Sequence, residues 1–90
     1  MDIIEEKYKV SALIDGQVVG YVTFPLIYEN TVVINHTFVD ANYRGQNIAQ
    51  KLMETAVNYI RANGYRVIFE CSYAQKWLEK NDCDDIVVKR

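Results

Sequence analysis

Near residue 48 the hydrophobic period of this chain changes from two residues to about 3.6. Before that point apolar residues alternate with polar ones, or run in short β-branched and aromatic stretches. From Ile48 they fall at positions 48, 49, 52, 53, 56, 57, 59 and 60, the spacing that lays one stripe along a helix. Asn63-Gly64 supplies the stop, with Gly64 suited to the left-handed position after the last turn. A set of strands followed by a helix with one apolar stripe leaves few solutions. The helix then serves as a crossover between the last strand before it and the strand after it.

Residues 7–24 read as a hairpin. Tyr8, Val10, Ala12 and Ile14 alternate with Lys7, Lys9 and Ser11, Leu13 being the exception, and Asp15-Gly16 is a strong two-residue turn signal. Val18 or Val19, Tyr21 or Val22, and Phe24 return as the second strand, which Pro25 ends or places at an edge. Residues 25–30 and 31–39, split by the turn-prone Glu29-Asn30, predict strands three and four. After the helix, residues 65–71 form a near-continuous apolar run, the pattern of a buried fifth strand. Residues 72–81 predict a second, short helix with Ser72 as its N-cap. The tail, residues 82–90, packs as a last short turn or strand, or frays. The order is β-β-β-β-α-β-α, an α/β (α+β) architecture. An antiparallel meander leads into a crossover helix, a further strand parallel to strand four, and a short C-terminal helix. Ninety residues make one domain, 1–90, small enough for a ligand or a partner subunit to add to its stability.

Charge narrows the function classes. The net charge of −2 argues against a protein that coats nucleic acid. Within residues 44–66, however, Arg44, Lys51, Arg61 and Arg66 stand against Glu54 alone, four against one, a local +3. A basic middle in an acidic chain suits an anionic small ligand. No apolar run approaches the roughly 20 residues of a bilayer span, and the acidic start has no signal-peptide pattern. The expectation is a cytoplasmic protein with neither a membrane nor a nucleic-acid partner. Cys71 and Cys83 are expected to be thiols. With a single histidine they make no zinc set, so no metal is expected.

The start of the first helix carries the chemistry. Helix N-termini expose backbone N–H groups without partners and partial positive charge, which suits a pyrophosphate. Gly45 lets the backbone approach phosphate oxygens, Asn47 tolerates the left-handed region better than most residues, and Arg44 adds a permanent charge. A plain strand-to-helix turn competes with this reading, because turns need glycine anyway.

The run Tyr43-Arg44-Gly45-Gln46-Asn47-Ile48-Ala49 resembles the acyl-CoA-binding signature of the GNAT N-acetyltransferase superfamily, Arg/Gln-x-x-Gly-x-Gly/Ala. Arg44 matches its first position and Ala49 its last, while Asn47 stands where the family has its central glycine. More specifically, the chain resembles the smallest members of that superfamily. Their marks read here as His36-Thr37-Phe38-Val39, Arg44-Gly45 and Cys71-Ser72-Tyr73, in order, within a resemblance that runs from about Lys7 to Trp77.

The resemblance implies a role for each of these stretches. The pyrophosphate of acetyl-CoA would lie on the N–H groups of Arg44, Gly45, Gln46, Asn47, Ile48 and Ala49. The pantetheine arm would run beside strand four on backbone groups of Phe38 and Val39, as an added strand does. The thioester would enter the gap between strands four and five. Cys71, before a helix start that favours a thiolate, would carry the acyl group covalently; the competing role is a small buried residue lining the pocket. Tyr73 would protonate the departing CoA thiolate, or simply pack. His36, pointing opposite to Thr37, would act as base toward an incoming amine or face solvent. Glu70, pointing opposite to Cys71, would act as base through water or sit as a surface carboxylate. Trp77 is expected in the core and Cys83 is expected to be incidental. The larger enzymes of the superfamily continue with a hairpin that walls the acceptor site. Without one, the acceptor is expected to be an amine of a protein or small molecule at a site that is open or completed by a second subunit, with the chain a monomer or a weak homodimer. A non-catalytic CoA-binding module and a small interaction domain are the alternatives.

Overall fold

The computed structural model describes residues 1–88. Its order is β1 (Asp2–Glu6), β2 (Lys9–Ile14), β3 (Gln17–Thr23), β4 (Leu26–Tyr28), β5 (Thr31–Ile34), β6 (His36–Val39), α1 (Ile48–Ala62), β7 (Arg66–Phe69) and α2 (Ser72–Lys80). A single turn of 3₁₀ helix, Ala41–Tyr43, joins β6 to the loop before α1.

The strands form two sheets, β1-β2-β3-β6 and β4-β5-β7. All pairs are antiparallel except β5 with β7, which are parallel through the crossover helix. The predicted hairpin is β2-β3. Asp15 and Gly16 both have positive φ, 51° and 79°, the geometry of the tightest hairpin turns. The choice between Val18 and Val19 is settled by a register shift opposite Ala12/Leu13, which turns Val19 into the core and leaves Val18 exposed.

Three expectations need correction. First, residues 2–6 form β1, paired with β2 from Asp2↔Leu13 to Glu6↔Lys9, and Tyr8 is a left-handed turn residue (φ 66°) rather than part of a strand. β1 is too charged to announce itself, and edge strands tolerate such charge. Second, the predicted fourth strand is two strands. β5 pairs with β4 and β7, Asn35 breaks the run, and β6 pairs with β3. The break is pinned by a 2.7 Å hydrogen bond from the Thr23 hydroxyl to Asn35 Oδ1. Third, Cys83 is 1% exposed and belongs to the core, where burial pushes its thiol pKa up. The tail turns at Cys83, and Val87 bridges in parallel to Val67; its last two residues, Lys89 and Arg90, lie outside the described residues.

The core lies between α1 and one face of the sheets. Helix α1 buries Ile48, Leu52, Met53, Ala56, Val57 and Ile60, six of the eight positions in the predicted stripe. They meet Val10, Ala12, Val19 and Val22 of β2-β3, and Val32, Ile34, Val67 and Phe69 of β5-β7. Gly20 is what lets the helix come so close. A Cβ there would lie 2.8 Å from the Phe38 carbonyl oxygen and 3.1 Å from Leu52 Cδ1. The opposite face of the first sheet is left uncovered, with Ile4, Val18 and Phe38 exposed. Among the described residues no helix is long and apolar enough to cross a membrane.

Candidate functional site

The split between β5 and β6 makes a fork. The Ile34 carbonyl accepts from both the Glu70 and Cys71 N–H groups, at 3.0 and 3.2 Å, and there the β5-β7 ladder ends. Beyond this point β7 gives way to α2, while β6 continues along β3. As the last strand of its sheet, β6 has no strand neighbour on its second edge among the described residues. An extended chain could pair there.

Residues 40–47 carry the chain from the fork to α1. The Asp40 carboxylate accepts from the Asn42 N–H at 2.8 Å and sets the 3₁₀ turn. Arg44 folds back, its Nε donating to the Val39 carbonyl at 3.4 Å. Gly45 has φ 86° and Asn47 has φ 60°, both left-handed. Asn47 thus holds the conformation that its place in the signature otherwise assigns to glycine, one of the few side chains able to do so cheaply. It does not cap the helix with its own side chain. The first intrahelical bond runs from the Lys51 N–H to the Asn47 carbonyl at 3.1 Å, so the N–H groups of Ile48, Ala49 and Gln50 stand outside the helical ladder.

These residues line an open cleft of about 220 Å³. Its walls are Val39 at the end of β6, Tyr43 and Arg44 of the loop, Gly45, Asn47, the first turn of α1, and Tyr73 from α2. Among the described residues one arginine and no carboxylate line it, and a Cβ built on Gly45 would meet nothing within 4 Å. The residues present therefore fit a phosphate-bearing group on charge, on free N–H donors and on space. Gln46 and Phe38 do not line the cleft. Phe38 turns its ring to the uncovered face, against Tyr21 at a centroid separation of 5.4 Å. Tyr43 and Gln50, which the sequence did not single out, also line the cleft. Tyr43 had no signal beyond adjacency to Arg44, and Gln50 sits one residue past the motif.

At the apex of the fork Cys71, not Ser72, is the N-cap of α2. Cys71 has extended backbone (φ −75°, ψ 150°), and its sulfur accepts from the Ala74 N–H at 3.4 Å. Ser72 is already helical. Across the fork the same sulfur lies 3.4 Å from the Thr37 hydroxyl, a partner that the sequence did not suggest. Tyr73, half-buried on α2, has its pKa raised by burial first and then by the nearby Glu54 carboxylate, so its phenol stays protonated above its ordinary range. His36 is elsewhere. It is exposed on the opposite face of β6 from Thr37, against Tyr21 at 5.6 Å. Glu70 is exposed as well. The structure thus brings Val39, Arg44, Gly45, Asn47, Ile48, Ala49 and Tyr73 together, sets Cys71 beside Thr37 at the fork, and leaves His36 and Glu70 outside the cleft.

A forked sheet beneath a helix start with left-handed loop residues defines a class of fold. The profile of the GCN5-related N-acetyl-transferases matches residues 7–86, and the chain belongs to that family. The solution structure of a GCN5-like protein from Staphylococcus aureus superposes with a TM-score of 0.76 at 26% identity, over 99% of this chain and 89% of that one. YhbS from Escherichia coli, a GNAT family N-acetyltransferase crystallised with CoA, is 31% identical with a TM-score of 0.62, over 68% of this chain and 38% of its own. Protein NATD1 of Danio rerio is 33% identical over 60 residues, 62% of this chain; the match spans 54% of that protein.

Proposed function

We propose that this protein binds acetyl-CoA and transfers the acetyl group to an amine. The observation that carries the reading is the loop from Arg44 to Asn47. Two left-handed residues present a helix start with free N–H donors to a cleft that holds an arginine and no carboxylate. A diphosphate is the group such a place binds best. The CoA bound to YhbS supports the same ligand here.

In this reading the diphosphate rests on the N–H groups between Gly45 and Ala49, near the Arg44 charge. The second edge of β6, where Thr37 and Val39 present their backbone groups, takes the pantetheine amides, Arg44 Nε yielding the Val39 carbonyl; the Phe38 backbone groups bond into β3 instead. The acyl group then reaches the fork. Tyr73, held protonated by its surroundings, donates its phenolic proton to the CoA sulfur as the carbon–sulfur bond breaks. The acceptor amine, in its neutral form, attacks the carbonyl carbon and sheds one proton to solvent. With the second edge of β6 and the fork open to water, turnover is expected to be slow.

The Cys71 sulfur supports a second route. It sits at the fork, 3.4 Å from both the Ala74 N–H and the Thr37 hydroxyl. On this route the sulfur, giving up its proton, would attack the thioester, release CoA and hold the acetyl group as a new thioester until the amine takes it. The same hydrogen bonds serve equally as a helix cap, which suits direct transfer.

One experiment separates these routes. The protein is incubated with acetyl-CoA, with and without a lysine-containing peptide, and intact masses are read for wild type and Cys71→Ala. Acetyl peptide from both proteins means direct transfer. An acetyl adduct on wild type alone, with transfer lost in Cys71→Ala, means the relay. CoA binding without acetyl peptide in either leaves a binding module, and no CoA binding sinks the reading.

A further inference from the structure

Strand β7 has a second edge, and the tail pairs with only part of it. The N–H groups of Arg66 and Glu70 bond on the β5 side, to the Asn30 and Ile34 carbonyls, so by alternation those of Val67 and Phe69 point the other way. The tail takes the Val67 position. The Val67 N–H donates to the Ile86 carbonyl at 3.0 Å, and the Val67 carbonyl accepts from the Val88 N–H at 2.9 Å. The next position is different. The Phe69 carbonyl accepts only from the Gln75 side chain, at 3.2 Å. The Phe69 N–H has no acceptor among the described residues, although Phe69 is 8% exposed. A nearly buried N–H without a partner is rare in a folded chain.

Beside this edge runs a groove of about 340 Å³. Phe69, Leu78, Val87 and Val88 give it apolar walls, Gln75 an amide, and Glu70 the one charge among the described residues. Glu70 is exposed and directly precedes Cys71 at the apex of the fork. The groove shares no lining residue with the cleft at the loop. The two reach the fork from either side of Cys71, the groove at Glu70 and the cleft at Tyr73. Their charges are opposite, a carboxylate in the groove and an arginine in the cleft. A cation in the one and an anion in the other can be held at the same time.

We infer that the groove takes the acceptor as an extended, lysine-bearing peptide, added as a strand to the free part of the β7 edge. A peptide carbonyl accepts from the Phe69 N–H, and a peptide N–H displaces Gln75 from the Phe69 carbonyl. An apolar side chain of the peptide lies against Leu78 and Val87. The added strand runs about 4.8 Å from β7, and a lysine on its flexible stem crosses that step to the fork. Glu70 draws the lysine in as its ammonium; the fraction that reacts has given its proton to solvent. The inference rests on the acetyl-transfer reading and narrows its acceptor to a peptide side chain. A free amine meets the carboxylate alone and forgoes the strand contacts, so it is the poorer substrate.

Amide hydrogen exchange by NMR with CoA present, and transfer kinetics with acetyl-CoA, test this on the full chain. The probe is a short Val/Thr-rich peptide with one central lysine; its backbone N-methylated form and lysine amide are the comparisons. The peptide is expected to slow exchange at Phe69. Its kcat/KM is expected to exceed that of lysine amide by about tenfold, the scale of one or two hydrogen bonds, and N-methylation to remove most of that advantage. Glu70→Lys, a change at an exposed site, is expected to cut kcat/KM for the peptide about tenfold through KM, with CoA affinity unmoved. Equal transfer to peptide and lysine amide, with Phe69 exchange unaltered, overturns the groove and leaves the transfer reading standing. No transfer to any amine while CoA binds overturns the transfer reading and the acceptor role with it. Slow exchange at Phe69 before any peptide is added also overturns the proposal. It gives the edge to a second copy if it depends on protein concentration, and to the chain's own tail if it does not.

Discussion

Asn47 shows how much one residue can decide. At φ 60° it carries the left-handed turn that opens the helix start, and any residue with a branched β-carbon pays steeply there. Asn47→Gly is expected to bind CoA as tightly as wild type or more so. Asn47→Val is expected to lose about tenfold or more, from roughly 1–2 kcal/mol of backbone strain; calorimetry with CoA checks both. Tyr73 makes a prediction in pH. Its folded pKa is raised, so the proton-donating form persists through neutral pH and is lost only as pH climbs past the ordinary tyrosine range. The rate deficit of Tyr73→Phe relative to wild type is therefore expected to be full near neutrality and to close at high pH. A deficit independent of pH would assign Tyr73 to packing. At this scale the sequence was informative about identities and less so about geometry. Arg44, Gly45 and Asn47 could be picked out because few residue types suit their task. Ser72 looked like the cap because serine oxygens are the usual ones, yet the backbone turns helical one residue earlier and the sulfur of Cys71 takes the bond.

At the scale of elements, the fork depends on two contacts that no local pattern reveals. One is the hydrogen bond between Thr23 and Asn35 that ends β5 and starts β6. The other is the close approach of α1 and β6 to Gly20. A lone glycine inside a strand pattern is a known sign of such an approach, but it does not say which element comes near. With the Phe38 carbonyl 2.8 Å from the added methyl, Gly20→Ala is expected to destabilise the fold by about 1–3 kcal/mol. It should also weaken CoA binding, because the strand that must shift is the one bordering the fork. Thermal unfolding with and without CoA reads both effects. An unchanged midpoint would mean that β6 moves freely. Helix α1 was legible almost to the residue, since its stripe is long and regular. The nine residues read as one strand were not, because β5 and β6 run on with a single residue between them and part only in which neighbour they pair with.

For the whole molecule, a chain of 90 residues buries a limited core, so ligand binding should register strongly in its stability. Acetyl-CoA at about 100 times its Kd adds roughly 2.7 kcal/mol. Each kcal/mol moves the midpoint of a domain this size by about 4–8 °C. A rise of that order with acetyl-CoA, and little with ATP, is the expected result; no rise at saturation would count against the cleft. The sequence by itself determined the β2-β3 hairpin, the crossover helix with the strand and helix that follow it, the face that α1 buries and the loop that suits a phosphate. Each of these follows from spacing and residue type within a few turns of chain. Only the tertiary structure decided that the predicted fourth strand divides into a fork, that Cys71 meets Thr37 across it, and that His36 lies on the far face. Those outcomes rest on pairings between segments far apart in the chain, which residue spacing alone does not encode.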